Sequence, residues 1–158
     1  MIYKKIGGEI EYKAADNYKY LTDTGRSSLR IILQRLNKKK FLIPDFLCKT
    51  IVDIFKEKKI KFEYYSVNES FNVRIDSNKK FDVLYLINFF GKKFSNFKKF
   101  EKKIIIEDNV FLPYFNNDNN YKKWIGFNSF RKVTPMVDGS LIRSTFKLDA
   151  KLILKKES

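Results

Sequence analysis

Three short stretches of the chain carry residue types that could do chemistry together. NSFRK (128–132) holds Lys132 between two apolar segments, WIGFNSF (124–130) and VDGSLI (137–142). A lysine kept between buried segments is partly desolvated, which lowers its pKa and makes its amine a nucleophile toward an aldehyde. In KIIIEDN (103–109), Asp108 follows three isoleucines. A carboxylate at the end of a buried strand is costly unless a cation or several donors meet it. TGRSS (24–28) opens an apolar-periodic segment, and the free N–H groups, hydroxyls and positive dipole end of a helix start there would seat a phosphate. Alone, each has an ordinary explanation: a capped helix, an aspartate capping a neighbouring element, a surface lysine. Together they are the parts needed to hold pyridoxal phosphate, with the phosphate at a helix N-terminus, the aspartate against the pyridinium nitrogen and the lysine joined to the aldehyde.

For these groups to meet, the elements carrying them must end at one edge of a sheet. Residues 27–37, SSLRIILQRLN, have apolar positions at 29, 31, 32, 33 and 36, the spacing of a helix. KKFLIP (39–44) reads as a short buried strand ended by Pro44, and residues 47–58 resume helical spacing. IKFEYYSV (60–67) alternates like a half-exposed strand, while FDVLYLINFFG (81–91) is a nearly continuous apolar run, the mark of a central strand. A short helix over 94–102, the IIIED strand, and strands in WIGFNSF and GSLIRS (139–144) follow, with FNNDNNYKK (115–123) as the clearest loop. This alternation predicts an α/β fold, a mostly parallel sheet with helices on both faces, binding its ligand beyond the strand C-termini. The loops TGRSS, PDFLC, EDN and NSFRK then fall at one edge.

At 158 residues the chain fits one domain, read as residues 1–158 with an N-terminal arm over 1–20 and a tail over 145–158. Hydrophobic residues at 44%, with 16 Phe and 9 Tyr, supply a packed core and exclude a disordered basic tail. Lys and Arg number 33 against 18 acids, a net charge of +15 that raises nucleic acid or an anionic polysaccharide as a partner. The basic residues are spread along the chain, in runs such as KKK (38–40) and KKFEKK (98–103), so nucleic acid is not the expected partner. A basic, non-catalytic binding module remains the alternative function. The single Cys48 leaves no internal disulfide, the absence of histidine leaves no zinc site, and no metal is expected. No apolar run is long enough to span a bilayer, and a soluble, cytoplasmic protein is expected.

The order GGEIEY, TGRSSL, LIPDFLC, INFFG, IIEDN and NSFRK followed by Asp138-Gly139-Ser140 resembles the large domain of the DegT/DnrJ/EryC1/StrS group of fold-type-I pyridoxal-phosphate aminotransferases. The closer resemblance is to the branch found with surface-polysaccharide genes. It extends from Gly7 to about Ser144. The resemblance implies that Asp108 is the ring-nitrogen aspartate and Lys132 the Schiff-base lysine, six residues before Asp138. It places the phosphate loop on Gly25, Arg26 and Ser27 and a phosphate-binding serine on Ser129; Phe46 is the candidate to pack on the ring face. It implies a nucleotide-sugar or other small-molecule substrate and a homodimer. The chain departs from the pattern in having Asn109-Val110-Phe111 where a Gln- and His-containing stretch is common, and Ser140 where a second glycine stands. The family's remaining large-domain segments and its C-terminal domain lie beyond this length, so the resemblance covers the cofactor-holding part, and a truncated or inactive protein is the alternative to a working enzyme.

Overall fold

The computed structural model describes residues 18–93 and 98–148. GGEIEY and the rest of residues 1–17, residues 94–97, and the tail from residue 149 lie outside the described residues. Among these residues eight strands form one sheet, with two α-helices packed on it: β1 (Tyr18–Thr22), α1 (Gly25–Arg35), β2 (Lys40–Pro44), α2 (Lys49–Glu57), β3 (Lys61–Val67), β4 (Val73–Arg74), β5 (Val83–Ile87), β6 (Ile104–Asp108), β7 (Trp124–Phe127) and β8 (Ser140–Ser144). The strand order is β1-β8-β7-β6-β5-β2-β3-β4.

The centre of the sheet is parallel. β2 pairs with β3 and β5, β5 with β6, and β6 with β7, all in parallel register. All five residues of β5 are buried, as a strand covered on both faces requires, and the alternating sequence of β3 ends up half-exposed near the edge. Three pairs depart from the parallel pattern. β8 runs antiparallel to β7 and to β1, and β4 antiparallel to β3. GSLIRS carries no signal of direction, because a buried antiparallel strand between two others looks like a parallel one in sequence.

This topology decides what sits at the working edge. Parallel β2, β5, β6 and β7 bring Asp45, Asn88, Asp108 and Asn128 to the same side. Because β8 is antiparallel, it begins there, at Ser140, and because β1 is antiparallel to β8, it ends there, at Thr22. The two-residue link Asp23-Thr24 then delivers the start of α1 to the same edge.

α1 buries Leu29, Ile32 and Leu33, the i, i+3, i+4 stripe foreseen in the sequence, and contacts β1, β7 and β8. Phe41, Phe55, Tyr85 and Trp124 lie among the largest fully buried side chains, and Phe55 stands edge-on to Phe41, Phe62 and Tyr85. Gly126 is required at the centre of β7: a Cβ there would stand 2.5 Å from the Trp124 ring and 2.7 Å from Phe115.

Several expectations change. Of the arm expected over 1–20, the described part, Tyr18 to Tyr20, begins β1. Within the expected tail, Leu148 is buried in the core and its N–H donates to the Tyr20 hydroxyl at 2.8 Å. Of the short helix expected over 94–102, the described part is a single 3-10 turn, Lys98–Phe100.

Candidate functional site

The working edge is built from buried polar groups. Asn88, Asn109 and Asn128 follow the last residues of β5, β6 and β7, and all three are buried. The Asn88 amide donates to Asn109 Oδ1, and Asn109 donates to the Glu107 carbonyl. Asn128 accepts from the Leu141 N–H at 2.9 Å and donates to the Pro113 carbonyl at 3.2 Å. The strand ends are thus tied to one another and to the loop after β6.

A second network sets the start of α1. The Ser140 hydroxyl donates to the Asn128 carbonyl at 2.6 Å and lies 2.6 Å from Ser28 Oγ, which lies 2.8 Å from Thr22 Oγ1. With Ser140's proton committed to Asn128, Ser28 donates to Ser140 and Thr22 to Ser28, its proton shared with the Thr24 carbonyl 3.1 Å away. The departure at Ser140 from a second glycine therefore has a physical account: the hydroxyl joins β8 to α1 and to the end of β7.

Above these networks lies an open cavity of about 490 Å³, within the size range of small-molecule sites. Asp108, Lys132, Gly25, Arg26, Ser129 and Phe46 all line it. Six of the seven residues singled out in the sequence thus meet at one place. Ser27 does not: its N–H donates to the Thr24 side chain at 3.1 Å, the N-cap bond of α1, and its hydroxyl faces the same side chain. At the helix start the N–H groups of Gly25 and Arg26, in the first turn, are left without an intrahelical acceptor. Gly25 is held close to the NSF segment, since a Cβ there would stand 3.2 Å from the Asn128 carbonyl and 3.3 Å from Ser129 Cβ.

Asp108 is buried. The Tyr85 hydroxyl donates to its Oδ2 at 2.5 Å and the Val110 N–H to its Oδ1 at 3.1 Å. Burial pushes its pKa up to about 6, against the lowering effect of those two donors and of the Lys132 ammonium. Lys132 itself corrects an expectation. It sits in a 3-10 turn, Phe130–Lys132, and is exposed, as is Arg131. The apolar flanks that suggested a buried lysine end at Ser129 and resume at Ser140, and the segment between them rides on the surface at the cavity mouth. Its ammonium lies over the face of Phe111, 4.7 Å from the ring centre.

Two lining residues, Phe90 and Phe111, carried no signal in the sequence. Phe111 stacks on Phe90 at 5.4 Å, and Phe90 stands exposed with a left-handed φ of 51°. Phe46 packs against Phe89 and Phe71. These rings meet through loop geometry, which phenylalanines scattered through a Phe-rich chain do not reveal. Cys48, Thr50 and Arg131 complete the rim. A hydrogen bond with Thr50, aided by the nearby Lys132 charge, holds the exposed Cys48 thiol below its ordinary pKa. The cavity thus presents three cationic side chains, Arg26, Arg131 and Lys132, to the single carboxyl group of Asp108. Among the described residues no His, Cys, Asp and Glu grouping could hold a metal ion, and no helix is long and apolar enough to cross a membrane.

No family model matches the sequence, and no curated protein is similar to it at the sequence level. The fold is shared with solved structures. An L,L-diaminopimelate aminotransferase from Chlamydomonas reinhardtii superposes with a TM-score of 0.62 at 15% identity, over 79% of this chain and 40% of that one. PseC of Helicobacter pylori, an aminotransferase involved in the biosynthesis of pseudoaminic acid, gives 0.65 at 10% identity, over 85% and 42%. NtdA of Bacillus subtilis, solved with bound cofactor PMP, gives 0.63 at 15% identity, over 84% and 34%. At such identities the likeness establishes the fold alone, an α/β fold shared with these solved aminotransferase structures. The chain spans less than half the length of each of these proteins.

Proposed function

We propose that the cavity holds pyridoxal phosphate and that the chain is the cofactor-holding part of an aminotransferase-type protein. The observation that carries this reading is the meeting of Asp108 and Lys132, from different strands' loops, in one cavity with the open start of α1. The residues fit the group. A phosphate finds the Gly25 and Arg26 N–H groups, the dipole of α1 and the Ser129 hydroxyl. A protonated ring nitrogen would give the buried Asp108 carboxyl the cationic partner that its two neutral donors do not supply. The apolar ring would lie among aromatic and aliphatic side chains such as Phe46 and Ile87.

When bound, pyridoxal phosphate supplies an electron sink for negative charge at the amino-bearing carbon of a substrate. Asp108 keeps the ring nitrogen protonated, which sustains that sink. Lys132 holds the cofactor and moves the proton at the reacting carbon. Its exposed position at the mouth leaves it free to swing inward from Phe111.

Within this reading, the substrate class is a nucleotide sugar. The support is the order of motifs from TGRSSL to NSFRK and the likeness in fold to PseC, a protein named for its part in pseudoaminic acid biosynthesis. Turnover would draw on residues beyond this stretch, from a longer chain or from a second copy in a homodimer.

The test is an absorbance scan of the purified protein with added pyridoxal phosphate, followed by borohydride reduction and peptide mass spectrometry. The expected result is a phosphopyridoxyl group on Lys132 and none in Lys132→Ala. A protein whose spectrum does not change, or whose label spreads over surface lysines alike, would remove the reading.

A further inference from the structure

We propose that Tyr85 is the positioning residue of this site: its hydroxyl, donated to Oδ2 of Asp108, holds that carboxyl group fixed at the cavity wall and in its ionised form. The inference rests on the cofactor reading for its purpose, while its geometry stands independently.

Tyr85 lies on β5 opposite Ile106, and Asp108 lies two residues further along β6, opposite Ile87. A long side chain on the same face reaches that diagonal neighbour. The ring has no freedom to leave. It is fully buried, stands edge-on to Phe55 at 6.0 Å, and its backbone carbonyl accepts the buried Tyr65 hydroxyl at 2.9 Å. The hydroxyl is therefore presented to Oδ2 at 2.5 Å by the hydrophobic core itself.

The charged groups around Asp108 leave the bond with a defined task. Lys132 approaches from the 3-10 turn, Arg26 and Arg131 line the same cavity, and Glu107 points to the other face of the sheet. Among the described residues none of these forms an ion pair with Asp108. Tyr85 on one oxygen and then Val110 on the other are the largest influences opposing the burial that favours the neutral acid, with the more distant Lys132 charge adding to them. Tyr85 is a durable donor: burial, and then the Asp108 charge, push its own pKa well above the ordinary value, so it keeps its proton. A neutral acid at position 108 would have no charge to offer a ring nitrogen. Tyr85 thereby sets the state in which the wall meets its ligand.

The test uses Tyr85→Phe, which keeps the ring and removes the hydroxyl. Carboxyl infrared spectra of the ligand-free protein, with Asp108→Asn subtracted to isolate position 108, give the titration midpoint. A hydrogen bond to a charged group corresponds to a rise of about one to two pH units in Tyr85→Phe. Pyridoxal phosphate binding at pH 8, followed by fluorescence quenching, should weaken roughly tenfold or more. Adding Tyr85→Phe to Asp108→Asn should weaken it no further, whereas a merely structural role would weaken both backgrounds alike. Independently of that variant, the wild type should show a downfield hydroxyl proton resonance that disappears in Asp108→Asn. An unchanged midpoint, unchanged affinity, or a resonance that persists in Asp108→Asn overturns the assignment. Failure of the wild type to bind pyridoxal phosphate would sink the cofactor reading instead, and the midpoint and resonance would still decide the role of Tyr85.

Discussion

Glu107 precedes Asp108 on β6 and so points to the opposite face of the sheet, away from the cavity. It is buried, and burial pushes its pKa up to about 7. The Trp124 indole, which forms no hydrogen bond of good geometry, lowers it by proximity, as do the Lys93 charge and Asn119, while Asp118 raises it. The folded state therefore holds this proton more tightly than the unfolded chain does. A carboxyl group raised in this way contributes its full stability below its ordinary value of 4.5 and loses it as the pH climbs to about 7. At about 1.4 kcal/mol per pH unit, the gap between 4.5 and about 7 corresponds to about 3 kcal/mol. Glu107→Gln keeps the shape and removes the titration. The variant should match the wild type near pH 4.5 and exceed it by up to about 3 kcal/mol at pH 8.5. For a chain of this length that is roughly 6 to 12 °C in melting temperature. Asp108 is common to both proteins and cancels in the comparison. Circular dichroism melts at pH 4.5, 6.5 and 8.5 would check it. A stability difference that stays constant with pH, or that grows toward acid, would refute the account of Glu107 as a desolvated carboxyl group.

Two further outcomes follow from the construction of the edge. Gly25→Ala should weaken phosphate and pyridoxal phosphate binding several-fold with little change in melting temperature, because its Cβ would press on the Asn128 carbonyl and Ser129 Cβ at 3.2 and 3.3 Å and widen the seat; isothermal titration measures it. Ser140→Ala removes the hydroxyl that donates to Asn128 and accepts from Ser28, both buried, and should cost about 1–3 kcal/mol by urea unfolding.

Much of this architecture was legible because buried parallel strands write themselves as apolar runs. VLYLI and IIIED read directly as β5 and β6, and the register of those two strands is what carries Asp108 to the working edge. The stripe Leu29, Ile32 and Leu33 announced α1 in the same way. Other features depend on contacts that spacing does not encode. Tyr18–Thr22 sits in a stretch too polar to separate from an arm, and its role comes from β8, more than a hundred residues away along the chain. Lys132 appeared buried because its neighbours are apolar, yet exposure is decided residue by residue once a 3-10 turn lifts the segment out of the sheet plane. Ser27 looked free to meet a phosphate, but the N-cap threonine three residues earlier claims its amide first. The Tyr85 to Asp108 bond spans two strands and was invisible without their register.

The hydroxyl chain from Thr22 through Ser28 to Ser140 also has a consequence for the order in which the protein can mature. It joins positions 112 residues apart, so the helix start is not tied into the sheet until β8 has been made and inserted between β1 and β7. During synthesis the central strands can collapse early, while the rim of the cavity formed by α1 is fixed only when β8 closes against it. A ligand captured there would act as a clasp between β8 and α1, and a molecule lacking β8 would lose the pocket before it lost its hydrophobic centre.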